Sequence, residues 1–376
     1  MKNIFKMASL LTAAVMLFSC EGLKPDGGEQ GSTDGALTIV SDKDVIQANG
    51  TDAATVKVML GDKDVTADSE LFFEDDQPMT LNDGRFTASV VGEYKFYANY
   101  GTLTTYNKSV DGNGLFTIKA INVAVPAAAA DTDPSNTSFV HRAFLTQYTG
   151  TGCGYCPLMI KVLRELMSEK VIPNKAVLAA VHSFATGDPA YISAPRVANY
   201  PYLTVDQTQG FSAEMGASVL KNLVEEHSKD AALAGISVSP KYYESEGILV
   251  VKVAVKAAQD GLFNVGAWLL EDDIYGMQSD YNKVGDESYD IHENCVRIAD
   301  SKYASTWFGH PLGTLSKGDV VEKTFVMDIQ SKWKVENLHL AVFASYGVAD
   351  GATLVYNVCN AVDVPIDAPT PFEYAK

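Results

Sequence analysis

Residues 149–157, which read TGTGCGYCP, decide the fold of the central part of this chain. They follow the apolar run 143–145 and lead into a helical pattern, so they predict a strand, a tight turn and a helix. Cys153 and Cys156 stand three positions apart at the predicted helix start. The positive end of a helix dipole stabilises a thiolate. We therefore expect Cys153 to be a nucleophile of lowered pKa and Cys156 to resolve the mixed disulfide.

The cysteine pair has four possible uses: redox exchange, a permanent structural disulfide, half of a zinc site, or a motif without function. Gly154 and Tyr155 lie between the thiols, and Pro157 suits a first helical turn because its missing N–H is not needed there. A short CxxC loop stabilises little, which favours redox exchange. Cys295 and Cys359 lack the spacing of zinc ligands, so no metal and no cofactor are expected. They could form a structural disulfide or remain buried free thiols.

Residues 1–20 have the pattern of a lipoprotein signal peptide. A lysine-containing start precedes an apolar stretch too short to span a bilayer, and the segment ends in the lipobox LFSC at 17–20. We expect lipid attachment at Cys20, followed by a flexible tether over residues 21–35. Glu21 after the lipidated cysteine favours the outer membrane over the inner one. The chain is thus predicted to be a lipoprotein of the cell envelope, attached to the membrane through its lipid only.

The chain is strongly acidic. Its formal net charge of −18 becomes −20 when Lys2 and Lys6 leave with the signal peptide. A body of this charge repels phosphate backbones and anionic lipid surfaces, so no nucleic-acid partner is expected. The length of 376 residues predicts two or three domains.

Composition and periodicity divide the rest of the chain. Short alternating strand patterns separated by turn signals cover residues 36–123 and predict a β-sandwich. Residues 124–138 are rich in Ala, Asp, Pro, Ser and Thr and predict a linker. Residues 139–231 carry strand, helix, strand, strand and helix around the cysteine motif. Residues 232–376 contain seven apolar strand patterns and predict a C-terminal β-sandwich.

These motifs resemble known families. Residues 49–56 and 92–94 are similar to bacterial Ig-like domains of surface proteins, and the element order of residues 139–231 resembles the thioredoxin fold. With the lipobox and the segment 292–297 (HENCVR), the chain resembles the Omp-twenty-eight-related outer-membrane lipoproteins of Bacteroidetes. This resemblance implies a thioredoxin-like thiol-disulfide oxidoreductase or isomerase acting on protein thiols and disulfides outside the cytoplasm. The Gly154–Tyr155 dipeptide resembles that of periplasmic disulfide isomerases; no electron donor is implied.

The thioredoxin resemblance gives Pro201 a role. It implies a cis proline that packs against the disulfide and shapes the client peptide site, although most X–Pro bonds are trans. The chain also departs from the family pattern. Gln147 stands six residues before Cys153, where a buried carboxylate is usual, and Gly152 replaces an aromatic residue. Gln147 cannot accept a proton, so we expect Cys156 to resolve slowly.

Other candidates are weaker. His182 ends the strand after the helix and could tune Cys153, although a structural role is commoner for a lone histidine. Tyr191, Tyr200 and Tyr202 could line a client groove near the proline or pack in a core. A different class also fits the chain: a surface binding or adhesion module whose CxxC is structural or vestigial.

Overall fold

The computed structural model describes residues 36–108, 114–299, 307, 309–350 and 353–376. The predicted signal peptide, the lipobox with Cys20 and the tether lie outside these residues. In the described part of the chain, strands in several sheets predominate over helices, as predicted for a β-rich multidomain protein. No helix among the described residues has the length and apolar character needed to cross a bilayer.

The N-terminal unit packs two sheets around a shared apolar core, over the range predicted for the first sandwich. Its strands are β1 (Leu37–Ser41), β2 (Val45–Gln47), β3 (Ala53–Leu60), β4 (Lys63–Asp64), β5 (Glu70–Phe73), β6 (Pro78–Met79), β7 (Arg85–Thr87), β8 (Gly92–Tyr100), β9 (Leu103–Thr104) and β10 (Phe116–Ile121). One sheet runs β1, β3, β4 with β7 beside β3, and the other runs β2, β10, β8, β5, β6 with β9 beside β8. Alternate residues of β3, Val56 and Val58, point into the core beside Phe96 and Ile118.

The central elements follow the predicted order. They are β11 (Ala143–Thr149), α1 (Cys156–Ser168), α2 (Val171–Asn174), β12 (Ala176–His182), β13 (Tyr202–Val205), β14 (Gln209–Phe211) and α3 (Ala217–His227). Strand β11 is parallel to β12 and antiparallel to β13, which pairs with β14. Every residue of β11 and β12 is buried, because helices cover one face and strands cover the other. The apolar face of α1, including Met159 and Leu163, packs against these strands.

The C-terminal elements contain all seven predicted strand patterns. They are β15 (Ala234–Tyr243), β16 (Ile248–Ala257), β17 (Gly261–Glu271), β18 (Ile274–Tyr275), β19 (Ile291–His292), β20 (Cys295–Ala299), β21 (His310–Leu315), β22 (Val320–Asp328), β23 (Leu338–Asp350) and β24 (Thr353–Pro365). A sheet of β15, β16 and β22 packs on β17, β23 and β24 through a common core. Its buried members include Val253, Phe263 and Val342.

The central sheet crosses the predicted domain boundary at residue 231. Within the described residues this sheet has nine strands in the order β14, β13, β11, β12, β20, β17, β23, β24, with β21 beside β17. Strand β20 joins the free edge of β12 in parallel, where Cys295 pairs with Ala180 and the Ala180 N–H donates to the Asn294 carbonyl at 2.8 Å. An uncovered edge would leave backbone groups without partners, so residues 139–231 and 232–376 share a sheet instead of forming separate ones.

The linker predicted at residues 124–138 is held in place by Lys256, a buried residue of β16. The ammonium group of Lys256 lies 2.9 Å from Asp131 Oδ2, and it donates to the Pro134 carbonyl at 2.7 Å and the Tyr374 hydroxyl at 3.2 Å. A buried charge needs such partners to offset its lost hydration. The linker and the C-terminal residues are therefore part of the packed structure.

We predict that Lys256→Met lowers the free energy of unfolding by about 2–3 kcal/mol, because Asp131 and the linker carbonyls lose their common donor. Lys252→Met is the matched control, since Lys252 lies on the same strand and pairs with the half-exposed Glu322. Its effect should stay below about 1 kcal/mol. Urea unfolding of both variants measures the difference. Equal effects would show that the Lys256 contacts contribute no more than a surface ion pair.

Candidate functional site

Cys153 and Cys156 form a disulfide at the carboxyl end of β11, with Cα atoms 5.4 Å apart. Cys153 exposes 3 % of its surface and Cys156 exposes none. The Cys153 N–H donates to the Gly150 carbonyl at 3.0 Å, and the Cys156 N–H donates to the Cys153 carbonyl at 3.1 Å. The predicted strand, turn and helix are confirmed. However, Tyr155 is the N-cap and α1 begins at Cys156, so Cys153 lies in the turn before the first helical residue.

Phe184, in the loop after β12, packs across this turn. A Cβ atom at Gly150 would lie 2.6 Å from the Cβ of Phe184, and one at Gly152 would lie 3.4 Å from the Phe184 ring. Glycine at position 150 therefore permits a close approach that a side chain would block. The thioredoxin pattern has an aromatic residue at the position of Gly152. Here the aromatic ring beside this position belongs to Phe184, more than thirty residues later in the sequence.

A segment of the C-terminal part lies over the same turn. We call residues 276–281, which follow β18, the strap. The Ser279 N–H donates to the Thr151 carbonyl at 2.8 Å, and the Tyr281 N–H donates to the Gly154 carbonyl at 2.9 Å. These two backbone bonds fix the strap along one side of the redox turn.

Two strap side chains add to this contact. Nε2 of Gln278, a buried residue, donates to the carbonyls of Cys153 at 3.1 Å and Thr151 at 3.2 Å. The ring of Tyr281 lies 2.5 Å from the position of a Cβ at Gly154, so the motif glycine is required for this packing. Tyr281 also meets Tyr155 edge-on, with ring centroids 5.4 Å apart. The strap carries no local signal in the sequence, because its partners are more than 120 residues away.

Behind the turn lies a buried Cys-His-Asp cluster. His182 Nδ1 is 3.0 Å from both carboxylate oxygens of Asp188, and His182 Nε2 is 3.5 Å from Cys295 Sγ. The two ring nitrogens of His182 thus face different partners, the Asp188 carboxylate and the Cys295 sulfur. These contacts agree with a structural role for His182, which the sequence analysis favoured over tuning of Cys153. Burial raises the pKa of Cys295 well above its usual range.

Asp188 connects this cluster to the redox turn. Its carboxylate accepts the N–H of Thr151 at 2.6 Å and of Ala190 at 2.8 Å. Burial raises the pKa of Asp188, but the hydrogen bond and charge of His182, with the two backbone donors, outweigh burial and lower it to about 2. Asp188 thus holds Thr151, two residues before Cys153, as an ionised carboxylate.

His292 completes the connection between cluster and strap. Its Nε2–H donates to the Gly276 carbonyl at 2.8 Å, and its ring meets the His182 ring edge-on at 5.0 Å. Burial lowers the pKa of His292, and the neighbouring His182 lowers it further. A neutral His292 therefore anchors the first residue of the strap.

Pro201 follows Tyr200 in the loop before β13, and the Tyr200–Pro201 peptide bond is cis, as the sequence analysis expected. Strand β13 starts one residue later, where Tyr202 pairs with Tyr148 of β11. The Tyr200 ring meets Phe184 edge-on at 5.3 Å, and its hydroxyl is 2.9 Å from the Ser183 hydroxyl. Tyr200 and Tyr202 are partly buried, whereas Tyr191 is exposed. The loop of Pro201 thus faces the disulfide turn across Phe184.

Gln147 occupies the buried strand position that the sequence analysis singled out. It lies on the face of β11 that carries Leu145, opposite Ala180 and Leu203 of the neighbouring strands. Its Nε2 has no hydrogen-bond partner among the described residues. Strand β11 contains no Asp or Glu that could accept the Cys156 proton instead of Gln147.

Cys295 and Cys359 are free and buried, so the alternative of a structural disulfide between them is not realised. They lie on β20 and β24, which β17 and β23 separate in the sheet, and they pack in different apolar clusters. Burial also raises the pKa of Cys359. No set of three or more His, Cys, Asp or Glu side chains in the described ranges converges as metal ligands, so Cys295 and Cys359 complete no zinc site with the CxxC motif there.

No family model and no curated protein matches the chain. Among solved structures, HBP35 of Porphyromonas gingivalis is similar with 15 % identity and a TM-score of 0.49, over 62 % of this chain and 78 % of that one. A structural-genomics protein of Agrobacterium tumefaciens is similar with 12 % identity and a TM-score of 0.39, over 62 % of this chain and 97 % of that one. At these scores, function is argued from the site itself.

We predict that Asp188→Asn lowers the free energy of unfolding by about 2 kcal/mol at neutral pH. The folded-state pKa of Asp188 is depressed from 3.8 to about 2, so its contribution is complete above pH 4 and is lost as pH falls toward 2. The difference between wild type and variant should therefore shrink in that window. Urea unfolding at a series of pH values measures it. Asp273→Asn, which removes a surface partner of Lys334, is the control and should change little.

Proposed function

We propose that this protein is a thiol-disulfide oxidoreductase or isomerase that acts on protein clients outside the cytoplasm. The observation that carries the proposal is the Cys153–Cys156 disulfide between a buried strand and the helix that follows it. Pro201, in the loop before β13, would shape the client site. The strand order β12, β11, β13, β14, with β11 and β12 parallel, supports a thioredoxin-like unit at residues 139–231. The residues around the disulfide, and no bound group, would carry the chemistry.

The exchange has two balanced steps. In the reduced protein the Cys153 thiolate attacks one sulfur of a client disulfide, forms a mixed disulfide and expels the other client sulfur as a thiolate. Cys156 then loses its proton and attacks Cys153, which releases the second client thiol and leaves Cys153–Cys156 oxidised. The client gains two electrons, and a reductant outside the chain restores the thiols. Run in reverse, the same steps oxidise a client.

The environment of the two sulfurs favours these roles. Cys153 lies in the turn and Cys156 on the buried first turn of α1, so Cys153 is the sulfur nearer to a client. Phe184 and Tyr281 pack on the glycines to either side of Cys153, so these rings border the approach of a client to its sulfur. Without a carboxylate at Gln147, release of the Cys156 proton should limit turnover.

The proposal includes attachment to the outer membrane through a lipid on Cys20. It is supported by the signal pattern of residues 1–20, which lies outside the described residues. A tether would then hold the body near the membrane, with an Ig-like unit over residues 36–123.

A second candidate function is supported by the burial of both cysteines. A disulfide with 3 % and 0 % of its residue surfaces exposed also fits a structural bridge in a surface binding module. In that case the sheets would carry the function and the thiols would not react with clients.

The reduction potential of the Cys153–Cys156 pair distinguishes the two. We predict a value between about −270 and −120 mV, the range of thiol-disulfide catalysts. Equilibration in glutathione buffers followed by mass-spectrometric counting of alkylated thiols measures it. A potential below about −300 mV would mark a structural disulfide and make the binding module the better proposal.

Trapping of clients as mixed disulfides tests the proposed exchange independently of the reduction potential. Cys156→Ser should accumulate mixed disulfides through Cys153, because the second step is removed, whereas Cys153→Ser should accumulate none. Cys295→Ser is the matched control, since Cys295 is buried away from clients, and it should leave trapping unchanged.

Lipid attachment has its own test. We predict that the full chain partitions into the detergent phase of a Triton X-114 extraction and that Cys20→Ala moves it to the aqueous phase, because one lipidated residue supplies the membrane affinity. Equal partitioning of both would contradict attachment at Cys20.

A further inference from the structure

Exposed apolar side chains are concentrated around the redox turn. Tyr275 is 65 %, Met277 75 % and Tyr281 70 % exposed in and beside the strap, and Tyr155 is exposed within the motif itself. On the other side of the turn, Phe184 and Tyr191 are also exposed. Single exposed apolar residues need no explanation, but a contiguous group marks an interaction surface.

Three of these side chains, Tyr155, Tyr281 and Phe184, contact the turn or one another, and Tyr275 and Met277 adjoin Tyr281 in sequence. Tyr155 meets Tyr281, and Tyr281 covers Gly154. Phe184 covers the glycines on the opposite side of Cys153. Any client that reaches Cys153 must therefore touch apolar groups on both sides of the turn.

The surface is poor in charged residues, although 20 % of the chain is charged. The three segments that form it, residues 150–157, 184–192 and 274–281, contain no Lys or Arg and two acidic residues. Asp188 is buried with His182, and Asp280 accepts the N–H of Gly285 at 2.8 Å. The cation that adjoins these segments, Arg297, donates to the Pro189 carbonyl and is paired with Glu271, so it is already engaged when a small disulfide such as oxidised glutathione brings its carboxylates.

We propose that the strap, with Tyr155 and Phe184, forms a docking surface for unfolded polypeptide segments that carry apolar side chains around a cysteine. This inference rests on the proposed function and specifies its clients. An extended segment can contact both sides of the turn, and it exposes the apolar side chains that a folded partner buries. Tyr275 and Met277 then contribute binding without taking part in the chemistry.

The test compares three substrates of the reduced protein. They are an apolar peptide and a polar peptide of equal length, each holding one cysteine as a mixed disulfide with glutathione, and oxidised glutathione itself. The full chain is held in phospholipid nanodiscs, and empty nanodiscs give the blank. We expect the apolar peptide to react about tenfold faster than the polar one, because its side chains are buried on the surface.

Variants of the strap and of Tyr275 beside it test whether these residues cause the faster reaction of the apolar peptide. Met277→Ser and Tyr275→Ser should each lower the rate with the apolar peptide about fivefold and leave the other two rates unchanged. Val90→Ser is the matched control, because Val90 is 68 % exposed and lies between β7 and β8 of the N-terminal unit, which has its own core. Equal rates with both peptides, or equal effects of Met277→Ser and Val90→Ser, would overturn the docking surface.

A binding measurement separates this inference from the proposed function. Fluorescence anisotropy follows the apolar peptide with its cysteine replaced by serine, so no exchange can occur. Weaker binding to Met277→Ser but not to Val90→Ser supports the surface even if the wild type exchanges with none of the substrates, which would be a failure of the proposed function alone. Absence of binding to the wild type, or binding unchanged in Met277→Ser, would overturn the surface whatever the thiols do.

Discussion

The buried carboxylate of Asp188 is the constraint on which the arrangement of the redox site depends. A charge removed from water must be paired, and here Thr151, Ala190 and His182 provide the donors. These partners belong to the redox turn, to the loop after β12 and to β12 itself. Because His182 also contacts Cys295 on β20, the pairing of one carboxylate joins the turn to both halves of the central sheet.

The addition of β20 to β12 explains how the C-terminal part can shape the site. Strand β19 ends shortly before β20 begins, so β18 and β19 lie at the same end of the central sheet as the turn. The connection between β18 and β19 must then pass close to the cysteines, and its first part is the strap. His292 on β19 holds the strap at Gly276. A protein whose second half formed a separate sandwich would leave the turn open on this side.

The sequence predicted those features of the site that depend on neighbouring residues. The cysteine pair and the helix after it follow from a motif a few residues long, and buried strands such as β11 follow from apolar runs. The cis bond before Pro201 was implied by the resemblance to the thioredoxin fold and not by a local motif. The strap, Phe184 and the partner of His182 depend on contacts between distant segments, and their residues carry no local signal. The shared sheet was missed for the same reason, because β12 and β20 meet at a single residue pair.

The placement of charge bears on how the proposed exchange would proceed. Thioredoxin-like exchange needs an acceptor for the Cys156 proton, yet Gln147 cannot accept it, and Asp188, with its pKa of about 2, is occupied by Thr151 and His182. The proton must then reach water, although Cys156 is fully buried. In the proposed exchange, a client that displaces the ring of Tyr281 or Phe184 from the glycines of the turn would also admit water. In this proposal, client binding and resolution of the mixed disulfide are therefore linked, and a protein without a bound client exchanges slowly.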